Sequence, residues 1–446
     1  MYREYKTFAI FMALCLNLLP AIISAEAGIV PASDEPIHLS LEDVIERIKS
    51  QNLQLLINKE SVRRALEQSY QRRAALLPQF SLRAQQTRQQ LSRGFTSEEF
   101  DNPPFNSFGS RIETSLSVFD TQLYADFRIA RLNQAIVEMD YEVATQDILE
   151  QAILLYFTQL RDLRSVEIAL ANLEREQTLL DLAQQQFDAG AAVKIDVTRA
   201  EVRMATERRG LMEAEIAVAQ SAFELKALLD LDLDRVIRLD PSIIEGVNAP
   251  PSLKRYGSLE VLTELRPELQ GQQIVLTQSE LAKKAVGWQR LPTIELFADW
   301  GYDSARAFDG GEGEAWLVGL RARMPIWEGG RIAAEKREAS AALRQNEYQM
   351  RDLRNQVERE FKFSLLEMDS RYAQIEIATD EMRLGNDEVE QASERYREGL
   401  GDNRELIDAQ IRLADAERSH LRAIYLYGLS RLAFARSIGS VERVLD

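Results

Sequence analysis

The sequence predicts a mainly α-helical fold with a small β part, organised as two repeats that each join a long helical hairpin to two amphipathic strands. Three observations lead there. From Arg331 to Tyr396 there is no proline and only one glycine, Gly385, so a helix of roughly 65 residues and about 100 Å is expected. Met368, Ile375, Met382, Val389 and Tyr396 recur every seven residues along it, a seam that stays on one face only if the helix supercoils left-handedly. The seam ends at "YREGLGDNRELIDAQ", beyond which a second helix returns from Arg404 to about Ile438.

The second observation is internal repetition. At an offset of 209 positions, Val166, Leu173, Leu180 and Phe187 match Ile375, Met382, Val389 and Tyr396, and "FDAGAAVKIDVTRAEV" matches "YREGLGDNRELIDAQI". Upstream, "LLPQFSL" at Leu76–Leu82 pairs with "RLPTIEL" at Arg290–Leu296, and "SVFDTQLYADFRIA" at Ser117–Ala130 pairs with "PIWEGGRIAAEKRE" at Pro325–Glu338. Self-similarity of this kind fixes architecture before any local assignment. The third observation is a period of two in four short segments, described below.

In chain order, Met1–Ala27 has Arg3 and Lys6, an apolar run Phe8–Leu19 and then small residues, the pattern of a secretory signal peptide cleaved after "AEA". The run is too short to span a bilayer as a helix. Cys15, the only cysteine, lies inside it, so the mature chain has no disulfide; lipid anchoring at Cys15 is the alternative, with Leu14 standing where a small residue is expected.

The first repeat is assigned to residues 28–240. Leu39–Leu77 reads as one helix, with Ser40 as N-cap and Asp43 three residues on. Pro78 ends it and the period becomes two. Strands are expected at 78–92, where Phe80, Leu82 and Ala84 alternate with Ser81, Arg83 and Gln85, and at 109–119, where Ile112, Thr114, Leu116 and Val118 share one face. A helical hairpin follows over 121–230. Residues 241–257, with Pro241, Pro250 and Pro251, form the connection, or part of a belt around the tube.

The second repeat, 258–446, opens with a helix at about Ser258–Gln289. It continues with strands at 291–302 and 314–326 and a hairpin at 328–438. In these strands Ile294, Leu296, Ala298 and Trp300 face one way, as do Trp316, Val318 and Leu320; Phe297 interrupts the polar face.

Strands of about ten residues suit a tilted membrane-spanning barrel, although two half-buried hairpins on a soluble sheet would show the same alternation. Backbone groups in lipid must all be satisfied, so a membrane sheet has to close. Four strands cannot, since single-chain barrels start at about eight. Several chains must pool them, as a dimer of eight or a trimer of twelve.

Net charge −17 without a basic stripe argues against nucleic acid. Two histidines, His38 and His420, offer no metal site. No phosphate loop, nucleophile elbow or paired-carboxylate signature is present, so no enzyme activity, cofactor or metal is expected, and the abundant carboxylates sit at helical spacing beside Lys and Arg as on a solvated helix face.

The two repeats, with "LPTIELFADWGY", "VGLRARMPIWEGGR" and "RYREGLGDNRELIDAQIRL", resemble the outer-membrane efflux protein (TolC) family over about Leu39–Ile438. The resemblance implies a homotrimer in the cell outer membrane, each chain giving four strands to a transmembrane β-barrel in contact with lipid. Its helices would form a periplasmic α-barrel docked through a periplasmic adaptor protein onto an inner-membrane transporter. Residue by residue, Tyr396 matches the aromatic at the tunnel's constriction, Glu405 and Asp408 the acidic positions around it, and Asp196 an acidic residue of the closed state. Gly401 stands where an arginine of the closing network can occur; Arg404 or Arg199 would have to substitute. Gly190, Gly399 and Gly401 read as turn residues permitting positive φ, at tips that would meet the adaptor. The function implied is a passive exit duct of a tripartite efflux or type I secretion system. The alternative is a periplasmic coiled-coil adaptor or scaffold without a pore, but adaptors carry one hairpin flanked by β-domains, whereas this chain has two hairpins and amphipathic strands with Trp and Tyr near their ends. Cargo stays open among drugs, metal ions and polypeptides.

Overall fold

The protein is described from a computed structural model covering residues 36–90, 104–242, 266–306, 313–398 and 400–445. The signal-peptide segment with Cys15, Gly399, most of the 241–257 connection and the start of the helix expected from Ser258 lie outside these residues.

The element order is β1 (Ile37–Leu39), α1 (Leu41–Gln51), α2 (Leu53–Ala74), β2 (Gln79–Gln89), β3 (Phe105–Phe119), α3 (Thr121–Asp188), α4 (Lys194–Leu228), β4 (Ile237–Leu239), α5 (Pro267–Trp288), β5 (Thr293–Ser304), β6 (Gly313–Arg323), α6 (Arg331–Arg397) and α7 (Asn403–Ser437), then a 3-10 turn Val441–Leu445. With 68 and 67 residues, α3 and α6 each run about 100 Å. The repeat is kept to the residue: α3 and α6 end, α4 and α7 begin, and α4 and α7 end at positions 209 apart.

Local chemistry sets the boundaries. Ser40 and Asp43 form a reciprocal capping box, which holds the Asp43 carboxyl below its usual range through hydrogen bonds from the Ser40 hydroxyl and amide. The single helix expected over Leu39–Leu77 is instead two. At the break Asn52 accepts from the Leu55 amide (3.1 Å) and donates to the Leu228 carbonyl (2.8 Å), so one side chain starts α2 and fastens it to the end of α4. Asp120 caps α3 through the amides of Gln122 and Leu123. Gly329 and Gly330, with φ of 62° and 87°, make the turn from the sheet into α6.

The strands form one antiparallel sheet in the order β2-β3-β5-β6. β3 begins four residues before the expected Gly109, and β6 ends at Arg323, two residues short of Pro325, which cannot donate to a ladder. The helices repeat this order. In the lower half α4 packs on α3, α3 on α7 and α7 on α6; in the upper half α2 packs on α3, α3 on α5 and α5 on α6. Because α2 leads into β2 and β6 leads into α6, the chain is a wall four elements wide along its whole length. One lateral edge is β2, α2 and α4; the other is β6 and α6.

Three apolar cores hold the wall. One gathers α1, α3 and the ends of α4 and α7 around the β1–β4 pair, where the buried Tyr156 hydroxyl donates to the carbonyls of Leu39 and Asp240. A second joins α5, α6 and α7 around Leu269, Met368 and Phe434. The third lies at the hairpin tips. Above the tips, Arg266 donates to the Ser437 carbonyl at the end of α7 (3.2 Å) and pairs with Glu268 and Glu360, while Arg436 pairs with Glu268 (2.6 Å) and Asp147 (2.7 Å). This network ties the start of α5 to the end of α7.

The heptad seam of α6 has a second half. Ala378, Gly385 and Ala392, each three residues beyond a predicted position, are buried against α7. A Cβ on Gly385 would stand 3.3 Å from the Leu413 Cα, so the two backbones approach through small residues. Met368 and Tyr396 are buried, whereas Ile375, Met382 and Val389 are half-buried.

Candidate functional site

Two regions carry the chemistry of a duct: the hairpin tips and the four-stranded sheet. At the first tip the amide of Ala191 reaches the Gln186 carbonyl (2.8 Å) and that of Gly190 the Phe187 carbonyl (3.0 Å), with Gly190 at φ 75°. This is a Schellman end, which needs a left-handed residue at Gly190. At the second tip the amides of Leu400 and Gly401 both reach the Arg395 carbonyl, the bonds related by the repeat. Gly401 does not adopt positive φ, which corrects the reading of that glycine. It is instead a place of close approach, where a Cβ would meet Glu405 Oε2 at 3.1 Å and the Arg395 Cβ at 3.2 Å.

Leu179, Ala183, Val197 and Ala200 of the first hairpin pack on Ala392, Tyr396, Leu406, Ile407 and Ala409 of the second. Tyr396, 5% exposed, thus points into the core of its own chain, and its hydroxyl has no hydrogen-bond partner. Burial, then the nearby Asp196 carboxylate, push its phenol upward. Asp196 is half-buried at the start of α4 and accepts from Arg199 (3.3 Å).

Glu405 and Asp408, spaced as helix neighbours on one face, lie outside that core, Glu405 exposed and Asp408 half-buried. Beside Gly401 the arginine that reaches Glu405 is Arg395, which donates to Glu405 (3.1 Å) and to the Leu400 carbonyl (3.3 Å), both within the second hairpin. Arg404 approaches only Asp408, at 3.9 Å. Sequence reasoning missed Arg395, although it lies one residue before the seam tyrosine. It also missed Asn403 and Gln186, whose side-chain amides donate across the hairpins to the carbonyls of Asp196 (3.0 Å) and Tyr396 (3.3 Å).

The sheet separates its chemistry by face. Register places Phe80, Leu82, Ile112, Leu296, Ala298, Trp300, Trp316, Val318 and Leu320 on one side, with Trp316 and Leu320 each 71% exposed. Such an apolar surface, with Trp300, Tyr302 and Trp316 near the loop ends, matches the lipid face and aromatic girdle of an outer-membrane barrel. The other face holds ion pairs: Arg83–Glu113 (3.1 Å), Arg111 with Asp299 (2.6 Å) and Asp303 (2.5 Å), and Arg321–Glu295 (3.2 Å). Phe297, Leu317 and Phe105 are the large apolar side chains on this face; Phe297 lies over Gly319 with the Arg321 guanidinium 4.8 Å from its ring centre, and Leu317 stands opposite Asp299. Among the described residues no helix is long and apolar enough to cross a membrane, and no acidic, His or Cys cluster would hold a metal.

Comparison with known proteins agrees with this geometry. The family described as outer membrane efflux protein matches residues 44–230 and 259–440. The outer membrane protein TolC of Vibrio cholerae is 20% identical over 436 residues, 96% of each chain. The fusaric acid resistance protein FusA of Burkholderia cepacia is 26% identical over 190 residues, 40% of this chain but only 34% of its own length. The crystal structure of the outer membrane protein VceC from Vibrio cholerae superposes with a TM-score of 0.78 at 18% identity, covering 90% of this chain and 96% of that one. The chain belongs to the outer membrane efflux protein family.

Proposed function

We propose that the protein is the passive outer-membrane exit duct of a tripartite efflux or type I secretion system, closed as a homotrimer. The single observation that carries this is the four-element wall whose two lateral edges, among the described residues, are unpartnered from the sheet to near the hairpin tips. Each edge helix also bears an exposed apolar stripe at seven-residue spacing or multiples of it: Ile195, Val202, Ile216 and Phe223 on α4, Phe363, Ile377 and Leu384 on α6. An apolar stripe on each edge is what a heterologous ring contact needs. Three copies give twelve strands and a barrel wide enough for a lumen lined by the ion-paired face. Nothing in the wall favours a scaffold without a pore, since that reading leaves the apolar sheet face in water.

The exposed Val193 and Leu400 at the tips form the surface for a periplasmic adaptor, which couples the duct to an inner-membrane transporter. Glu405 and Asp408 of three chains ring the constriction, Tyr396 and Asp196 brace it from within each chain, and Gly190 and Gly401 shape the tip turns. Rings of carboxylates favour cations. Planar-bilayer recordings test this: the parent should conduct in small, cation-selective steps that multivalent cations block, and Glu405→Gln with Asp408→Asn should lose selectivity and block while assembling normally. Unchanged selectivity would remove the carboxylates from the constriction.

A further inference from the structure

The tips of the two hairpins belong to one chain but are far apart in sequence, and something must hold them together wherever the tube narrows. The ion pairs nearest the turns do not. Arg199–Asp196 lies within the first hairpin, Arg395–Glu405 and Arg404–Asp408 within the second. The ion pair that does join the hairpins there, Arg175–Glu417 at 2.6 Å, is about four helical turns above the tip. Two hydrogen bonds cross at the tip itself, both from neutral amides to main-chain carbonyls: Asn403 Nδ2 to Asp196 O at 3.0 Å and Gln186 Nε2 to Tyr396 O at 3.3 Å. Asn403 is 3% exposed, so its bond is sheltered from water, and Tyr396, whose carbonyl takes the second bond, belongs to the apolar tip core.

The same core holds polar atoms left unpaired. The Tyr396 hydroxyl, Asn403 Oδ1 and Gln410 Oε1 are buried without a hydrogen-bond partner. Each is penalised while the tips are together and relieved when water enters. The closed tip is therefore a balance, with amide bonds and apolar contact on one side and unsatisfied polar atoms on the other.

We propose that Asn403 and Gln186 are the positioning residues of the gate, forming a charge-free clasp between the hairpin tips that the buried Tyr396 hydroxyl opposes. This rests on the duct reading for its purpose but not for its test. Spin labels at Ala191→Cys and Leu400→Cys, in a Cys15→Ser background of the full chain in detergent, report tip separation by pulsed electron resonance whether or not the protein conducts. Gln186→Leu and Asn403→Ala should each raise the population of wider separations by about twofold to tenfold, the worth of one hydrogen bond. Tyr396→Phe should lower that population, because only an unpaired hydroxyl is removed. High salt should leave the parent distribution unchanged, since screening acts on charges. Gln186 is half-buried and its leucine variant keeps the side-chain volume, so an unfolded Asn403→Ala protein would still leave one arm to decide. The proposal is overturned if Gln186→Leu shows the parent distribution, if Tyr396→Phe widens it, or if salt alone separates the tips. Absence of conductance steps in bilayers would instead count against the duct.

Discussion

Replacing Val318 by arginine separates a membrane sheet from a soluble one. Val318 lies midway along β6, opposite Ala298, and is 61% exposed in the single chain. On a water-facing sheet such a surface change costs within about 0.5 kcal/mol. At the middle of a lipid-facing strand the same arginine costs about 2–4 kcal/mol. That lowers the folded-to-unfolded ratio by roughly 25- to 700-fold per chain at 1.4 kcal/mol per tenfold. Three copies in one cooperative barrel raise the penalty to about 6–12 kcal/mol. Arg321→Leu, three residues on and on the other face, is the matched control. It loses an exposed pair with Glu295 and the stack on Phe297, together worth on the order of 1 kcal/mol. Urea titration of folding into lipid vesicles, read by Trp300 and Trp316 fluorescence, measures both. A Val318→Arg protein as stable in lipid as the parent would refute the assignment of faces.

Other expectations follow from the packing. Gly385→Val should cost about 1–3 kcal/mol, since its branched side chain must push α6 off the Leu413 backbone, and Gly385→Ala should cost less; thermal melting followed by circular dichroism ranks them. Burial raises the Glu268 carboxyl, but Arg266 and Arg436 together outweigh it, so it titrates below the usual glutamate range. A depressed folded value means that this stability is present above about pH 4.3 and is lost as the pH falls through the lower folded value. Glu268→Gln should therefore flatten the acid limb of the melting curve, and an unchanged limb would assign acid sensitivity elsewhere.

What the sequence made readable was carried by apolar periodicity. The 209-residue offset reappears in the helix ends because it follows the heptads and glycine turns. The sheet faces follow alternation in the main, with Leu317 and Phe105 departing from it, and Phe297 is accommodated by Gly319 and Arg321, which a period of two does not reveal. Small residues gave no hydrophobic signal, so the half of the seam made by Ala378, Gly385 and Ala392 was missed. Asn52 split an apparently continuous helix because its amide has a tertiary partner, the Leu228 carbonyl, which no local pattern reveals. At the tip, Tyr396 was located by its spacing, but its direction into the core depends on contacts with Val197 and Ala200, about 200 residues away in the chain. The Arg395–Glu405 pair depends equally on the close approach of the chain at Gly401.

The central claim is that the chain is one segment of a closed tube, its β2 and α4 edge meeting the β6 and α6 edge of the next copy. Native mass measurement of the protein extracted from outer membranes in mild detergent tests this most directly. We expect a single species of three chains that survives dilution and dissociates on heating in SDS. A monodisperse single chain, with both edges still unpartnered, would contradict it.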